Sequence, residues 1–179
     1  MGHEFLDGES VLAFDLETTG ISTNTDRIVQ IALIGSNSTG DTVHYETLVN
    51  PRRPIPPGAS GVHGIFDSDV KGEKDFQHHA DEIHRLIENS VVVGHNIRKF
   101  DMPLLENEFR RIGRLPPKPK AMMDTLEIVR RVTFLLYPII PQSSLKALKI
   151  FNLEEKDVIF ETIGNNEFLK KGSAINKID

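Results

Sequence analysis

At 179 residues, 39% hydrophobic and 26% charged, the chain is large enough for one domain with a full core and too apolar for wholesale disorder. It contains no cysteine, which excludes a disulfide scaffold and a zinc–thiolate centre. The formal net charge of −5 argues against non-specific coating of nucleic acid, although it leaves room for an enzyme that grips only a strand end.

Met1-Gly2-His3-Glu4-Phe5 has neither a basic n-region nor an apolar h-region, and no apolar run approaches a membrane span. The expectation is a cytoplasmic protein with no membrane association. Residues 1–8 read as a lead, 9–171 as the folded domain and 172–179 as a polar tail.

Val11-Leu12-Ala13-Phe14-Asp15-Leu16-Glu17-Thr18-Thr19-Gly20 reads as a strand with two carboxylates set into its end. Alternation along a strand puts Asp15 and Glu17 on one face, about 7 Å apart. Like charges so placed are costly on a core strand unless a cation lies between them, and hard oxygen ligands suit Mg²⁺ or Mn²⁺. From this pair alone, a strand end with two solvated acids is the simpler reading. After a polar turn, Arg27 to Ile34 gives a second strand and Thr42 to Val49 a third, joined as an antiparallel meander. Pro51, Pro54, Pro56 and Pro57 end the ladder. The stretch from Pro56 to Ile65 is rich enough in glycine and proline to predict a loop.

Phe76, Ala80, Ile83 and Ile87 recur at helical spacing and predict an amphipathic helix over Asp75 to Asn89, with His78, His79 and His84 on its surface. Val91 to Gly94 is a short buried strand, and a helix follows from about Arg98 to Arg111 with Pro103 in its first turn. Asp101 at that helix start would, taken alone, complement the helix dipole. Ala121-Met122-Met123 is a brief strand, and Asp124-Thr125-Leu126-Glu127 resembles a capping box, so Asp124 reads as an N-cap before it reads as a ligand. Ser143 or Ser144 can cap a further helix, and Glu161 to Lys171 reads as the last one. Between Arg98 and Arg131 nine basic residues face five acids, which suits a phosphate-bearing ligand and equally suits solvated helix faces.

Taken together, Phe14-Asp15-Leu16-Glu17-Thr18-Thr19-Gly20, Gly94-His95-Asn96 and Phe100-Asp101 resemble the DEDD exonucleases, the group of the proofreading ε-subunit and ribonuclease T. Asp26 to Ile31, Ile55 to Ile65, Asp124-Thr125 and Ser144 to Leu148 match in order, so the resemblance spans about Val11 to Lys171. It implies an α/β, ribonuclease-H-like fold, with a mixed five-stranded sheet flanked by helices. It also implies a hydrolase using two divalent metal ions, Mg²⁺ or Mn²⁺, at the 3′ end of a nucleic acid strand, in single-stranded form, with a polymerase or other protein as a further partner. Asp15, Glu17 and Asp101 are then the catalytic metal-binding acids. Leu16, Thr18, Thr19, Gly20, His63, Asn96 and Phe100 would line the terminal nucleotide, with a packed loop residue as the equal alternative for His63.

The family's third motif, H-x-A-x-x-D, supplies a general-base histidine and another metal-binding aspartate. The frame that aligns holds Phe160 and Asn165 at those positions, and no histidine follows His95. Loss of a positioned base typically costs about 10²–10⁴ in rate. The expected activity is a 3′→5′ exonuclease of reduced rate. The alternative is a non-catalytic relative that binds nucleic acid ends or a protein partner.

Overall fold

The computed structural model describes residues 8–151 and 153. They fall into two compact units that divide after Asp124. The first unit is built on strands β1 (Val11–Thr18), β2 (Ile28–Ser36), β3 (Thr42–Leu48), β4 (Val91–Gly94) and β5 (Ala121–Asp124). They form one mixed sheet in the order β3-β2-β1-β4-β5. The meander β1–β2–β3 is antiparallel, whereas β4 joins β1, and β5 joins β4, in parallel. The parallel joins require crossovers, and helices supply them.

Helices α1 (Pro57–His63), α2 (Asp67–Val70) and α3 (Phe76–Ile87) lie between β3 and β4, and α4 (Asp101–Arg111) between β4 and β5. Leu12, Phe14 and Leu16 of β1 and Ile31 and Leu33 of β2 pack against Ile83 and Ile87 of α3 and Leu104, Leu105 and Phe109 of α4. This is the main core. A second cluster, Val29, Ile55, Ile65 and Val70 with Leu48 and Ala59, anchors α1 and α2 beside β2 and β3.

Four sequence expectations need correction. The stretch predicted as a loop contains α1: Pro57 opens it at a position where its missing N–H costs nothing, and the Gly64 N–H closes it on Ser60 O at 2.8 Å. Helix α4 begins at Asp101 rather than Arg98, because Asn96 takes a left-handed conformation (φ 58°) and its carbonyl caps the turn through Lys99 and Phe100. Only His78 of the three histidines on α3 is a true surface residue. His79 is half-buried with its Nδ1 2.9 Å from the Tyr45 hydroxyl, and His84 lies edge-on to Phe109.

The second unit contains α5 (Thr125–Leu136) and α6 (Pro141–Ile150). The fourth correction falls here: α6 starts at Pro141, so Ser144 is buried within the helix instead of capping it. Leu126 and Phe134 of α5, Leu148 of α6, Phe151 and Leu153 form this unit's own core. The predicted last helix, Glu161 to Lys171, and the third-motif positions Phe160 and Asn165 lie outside the described residues. No helix among the described residues is long and apolar enough to cross a membrane.

Candidate active site

Strand β1 separates its residues cleanly by face. Leu12, Phe14 and Leu16 are buried in the main core, while Asp15 is exposed and Glu17 half-buried on the other side. The carboxylates are thus presented rather than sunk, which the alternating sequence foretold. Between Glu17 and Thr18 the pairing with β2 slips. Such an irregularity twists and re-aims the strand, and Thr18 and Thr19 are both buried after it.

Asp101 comes to the same place from the first residue of α4, through the parallel join of β1 to β4. It is buried, at 3% exposure. Burial, then the nearby Asp15 charge and more weakly Asp124, push its carboxyl up to about 7, against the lowering effect of hydrogen bonds from its own and the Leu16 backbone N–H. Glu17 is raised too, by burial first and Asp15 second, with His63 pulling the other way. Asp15, Glu17, Asp101 and His63 are therefore one electrostatic group, gathered from three elements.

The turn after β1 is built on Asp26. Its Oδ1 accepts the Thr19 hydroxyl at 3.0 Å and its Oδ2 the Ser22 N–H at 2.8 Å, while the Thr19 hydroxyl oxygen accepts the Arg27 N–H at 3.0 Å. Thr18 donates its hydroxyl to the Gly20 carbonyl at 2.7 Å. A Cβ on Gly20 would lie 2.6 Å from the Asp26 Oδ2, so the glycine is required by this carboxylate. The side chains of Thr18 and Thr19 are thus committed internally, and that of Leu16 belongs to the core. Toward a ligand these positions offer mainly backbone.

Among the other expected residues, His63 ends α1, and its Nδ1 accepts the Ile65 N–H at 3.0 Å. That contact leaves the proton of the neutral ring on Nε2, which is buried without a hydrogen-bond partner. Asn96 is half-buried, and its N–H donates to the Asp124 Oδ1 at 3.0 Å, with Arg98 N–H on Oδ2 at 3.2 Å. Phe100 packs on the edge of the main core directly before Asp101.

Three supports escaped the sequence reading. Asp26 was visible only as a polar turn residue and the first position of a stretch matching the family, with no role assigned to it. Asp124 does more than precede a helix: it fastens the Asn96–Arg98 turn. Glu108, 1% exposed, accepts Arg27 Nε at 2.6 Å and Nη2 at 3.0 Å, and Arg111 Nη1 at 3.0 Å, tying α4 to the foot of β2. The basic excess is also less free than its count suggested, since Arg110 pairs with Glu106, Arg111 with Glu108, Arg114 with Asp81 and Lys120 with Glu9.

Whether such a group suits a metal is a matter of donor chemistry. Among the described residues no group of three or more His, Asp or Glu side chains is arranged so that it could hold a metal ion. Oxygen donors whose ionisation is opposed by burial and by a neighbouring carboxylate, as at Glu17 and Asp101, are nonetheless the kind that a hard cation relieves. Mg²⁺ characteristically takes one or two carboxylates and completes its shell with water and substrate phosphate, so an open group of this type fits it.

Known proteins place the chain in context. A family model described as Exonuclease, of the RNase T group, matches residues 12–156. DNA polymerase III subunit epsilon of Treponema pallidum is 32% identical over 120 residues, covering 67% of this chain and 55% of that protein. DNA polymerase III PolC-type of Halalkalibacterium halodurans is 32% identical over 150 residues, 83% of this chain but only 10% of the relative. The chain thus spans from about a tenth to about half the length of these relatives. E. coli exonuclease I, solved in complex with a dA16 oligonucleotide, superposes with a TM-score of 0.61 at 23% identity, over 73% of this chain and 31% of that one. The sheet order and flanking helices are those of the ribonuclease-H-like fold, and proteins of this group generally use divalent metals. With its first two acidic motifs in place on that fold, the chain belongs to the DnaQ-like exonuclease family.

Proposed function

We propose that the protein is a metal-dependent 3′→5′ exonuclease that hydrolyses the terminal phosphodiester of a single-stranded nucleic acid end and releases nucleoside 5′-monophosphates. The observation that carries this reading is the convergence of Asp15, Glu17 and Asp101, where burial first and the Asp15 charge second keep Glu17 and Asp101 reluctant to ionise. Similarity to polymerase III chains supports a strand end near a polymerase as the setting.

Asp15, Glu17 and Asp101 would hold two divalent ions, Mg²⁺ or Mn²⁺, which when bound activate the attacking water and stabilise the leaving 3′-oxygen. The chain's own part is positional. The turn held by Asp26 keeps the Thr18–Gly20 backbone against the terminal nucleotide. The buried Nε2–H of His63 gives a hydrogen-bond donor beside Glu17. In the reaction the water oxygen bonds to phosphorus, the P–O3′ bond breaks, and the leaving 3′-oxygen takes up a proton.

A 3′-labelled single strand incubated with Mg²⁺ or Mn²⁺ should yield labelled monophosphate, and Asp15→Ala should reduce release to background. Strand binding with no release above that background would leave the non-catalytic end-binding reading instead.

A further inference from the structure

Asp124 is the last residue of β5, paired in register with Gly94 of β4, and only 6% of it is exposed. A carboxylate buried to this degree is costly unless donors meet it. Two main-chain donors come from the turn that leaves β4: the Asn96 N–H lies 3.0 Å from Oδ1 and the Arg98 N–H 3.2 Å from Oδ2. The turn needs that hold. Asn96 stands in the left-handed region at φ 58°, uncommon for residues other than glycine, and its carbonyl receives the Lys99 N–H at 3.1 Å and the Phe100 N–H at 3.0 Å. The Ile97 carbonyl then receives the Met102 N–H at 2.9 Å, so the turn runs directly into the start of α4, where Asp101 stands. The turn is also pressed against β1. A Cβ on Gly94 would fall 2.2 Å from Ile97 Cγ2 and 2.6 Å from the carbonyl oxygen of Phe14, the residue before Asp15, and Ile97 is fully buried in the main core. The stretch from Gly94 to Asp101 is thus clamped twice, by β1 at Gly94 and by Asp124 at Asn96 and Arg98.

We propose that Asp124 is a positioning residue of the site: by fastening the Asn96–Arg98 turn it places the Asp101 carboxyl against the Leu16 N–H and beside Asp15. The inference rests on the hydrolysis proposed above, in which Asp101 holds a metal ion, and it adds a fourth carboxylate that acts through the main chain. All of these residues belong to the first unit. A carboxylate is what the role requires. Its two oxygens accept two N–H groups at once, whereas an asparagine of the same shape has one oxygen and one NH₂, and that NH₂ would face an N–H. A turn loosened in this way lets Asp101 drift, and a drift on the order of 1 Å is enough to spoil a metal-binding geometry.

Asp124→Asn in the full chain tests the proposal without changing the size of the residue. In the metal-free protein, amide hydrogen exchange followed by NMR should speed roughly tenfold at Leu16, whose N–H bonds to the Asp101 carboxyl. It should stay unchanged at Leu33, held in the middle of the sheet between β1 and β3. In calorimetric titration, Mn²⁺ should bind the variant roughly tenfold more weakly than the wild type. In an Asp101→Asn background the same change at residue 124 should have no further effect on Mn²⁺ binding, because the ligand it places is already gone. Should Asp124→Asn fail to fold, Asp124→Glu, which keeps both oxygens but sets them one methylene further out, takes its place with the same expectations. Equal acceleration at Leu16 and Leu33 would overturn the proposal, Asp124 then serving stability alone. So would equal losses of Mn²⁺ affinity with and without Asp101. A wild type that takes up no Mn²⁺ would overturn the proposed metal chemistry, a failure that the exchange comparison keeps separate from a failure of the placement.

Discussion

Asp101 is the most informative single residue to perturb. In the metal-free protein its carboxyl is pushed up to about 7 by burial and by Asp15, against an ordinary value of 3.8. The folded state therefore binds a proton more tightly than the unfolded chain. Its contribution is fully favourable below about pH 4, and stability is lost as pH rises through about 7. At about 1.4 kcal/mol per pH unit, the difference between pH 4 and pH 8 is on the order of 4 kcal/mol. Asp101→Asn keeps the oxygen that accepts the Leu16 N–H but removes the charge. In urea unfolding followed by far-UV circular dichroism in EDTA, the variant should gain on the wild type progressively from pH 4.5 to pH 8. Added Mn²⁺ should raise the stability of the wild type at pH 8 more than that of the variant, which keeps Asp15 and Glu17 but lacks the third carboxylate. Parallel wild-type and variant stabilities across this pH range would refute the placement of Asp101 among repelling carboxylates.

Further outcomes follow from the supports of the site. Glu108→Gln breaks a buried pair with Arg27 and Arg111 and should cost about 3 kcal/mol in thermal unfolding. Gly20→Ala drives a methyl group into the Asp26 carboxylate; a folded protein with about 10²-fold lower kcat/KM on a labelled strand is expected, since the Thr18–Gly20 backbone shifts. Phe160→His combined with Asn165→Asp should raise turnover by about 10²–10⁴ under the same conditions, measured as monophosphate released per enzyme.

The legible parts of the fold were those whose signal is local. Alternation in β1 announced both the core face and the acid face, and the apolar spacing of Phe76, Ala80, Ile83 and Ile87 announced α3. Helix α1 was misread because Gly58 and Gly61 depress helix propensity; the short helix stands because the cluster around Val29 and Ile55 holds it. The link from Asp101 to Leu16 could not be read locally, since it depends on the parallel join of segments some eighty residues apart. Glu108 was hidden for the same reason: on its helix it looks like any solvated acid, and its partner Arg27 is 81 residues away. Asp15, Glu17, Asp101 and His63 were identifiable as a set only through their ordered resemblance to a family, not from the spacing of any pair.

The two faces of β1 carry one more consequence. A slip of one residue in its pairing would send Asp15 and Glu17 into the layer now filled by Leu12, Phe14 and Leu16, and expel those three into water. Each buried, unpaired carboxylate would cost several kcal/mol, on top of the lost apolar burial. Misaligned sheets are thereby penalised most heavily by the very residues on which the proposed chemistry depends. The acids thus act on the chain's own assembly as well: a molecule with β1 out of step is disfavoured, and the aligned sheet carries the carboxylates in place.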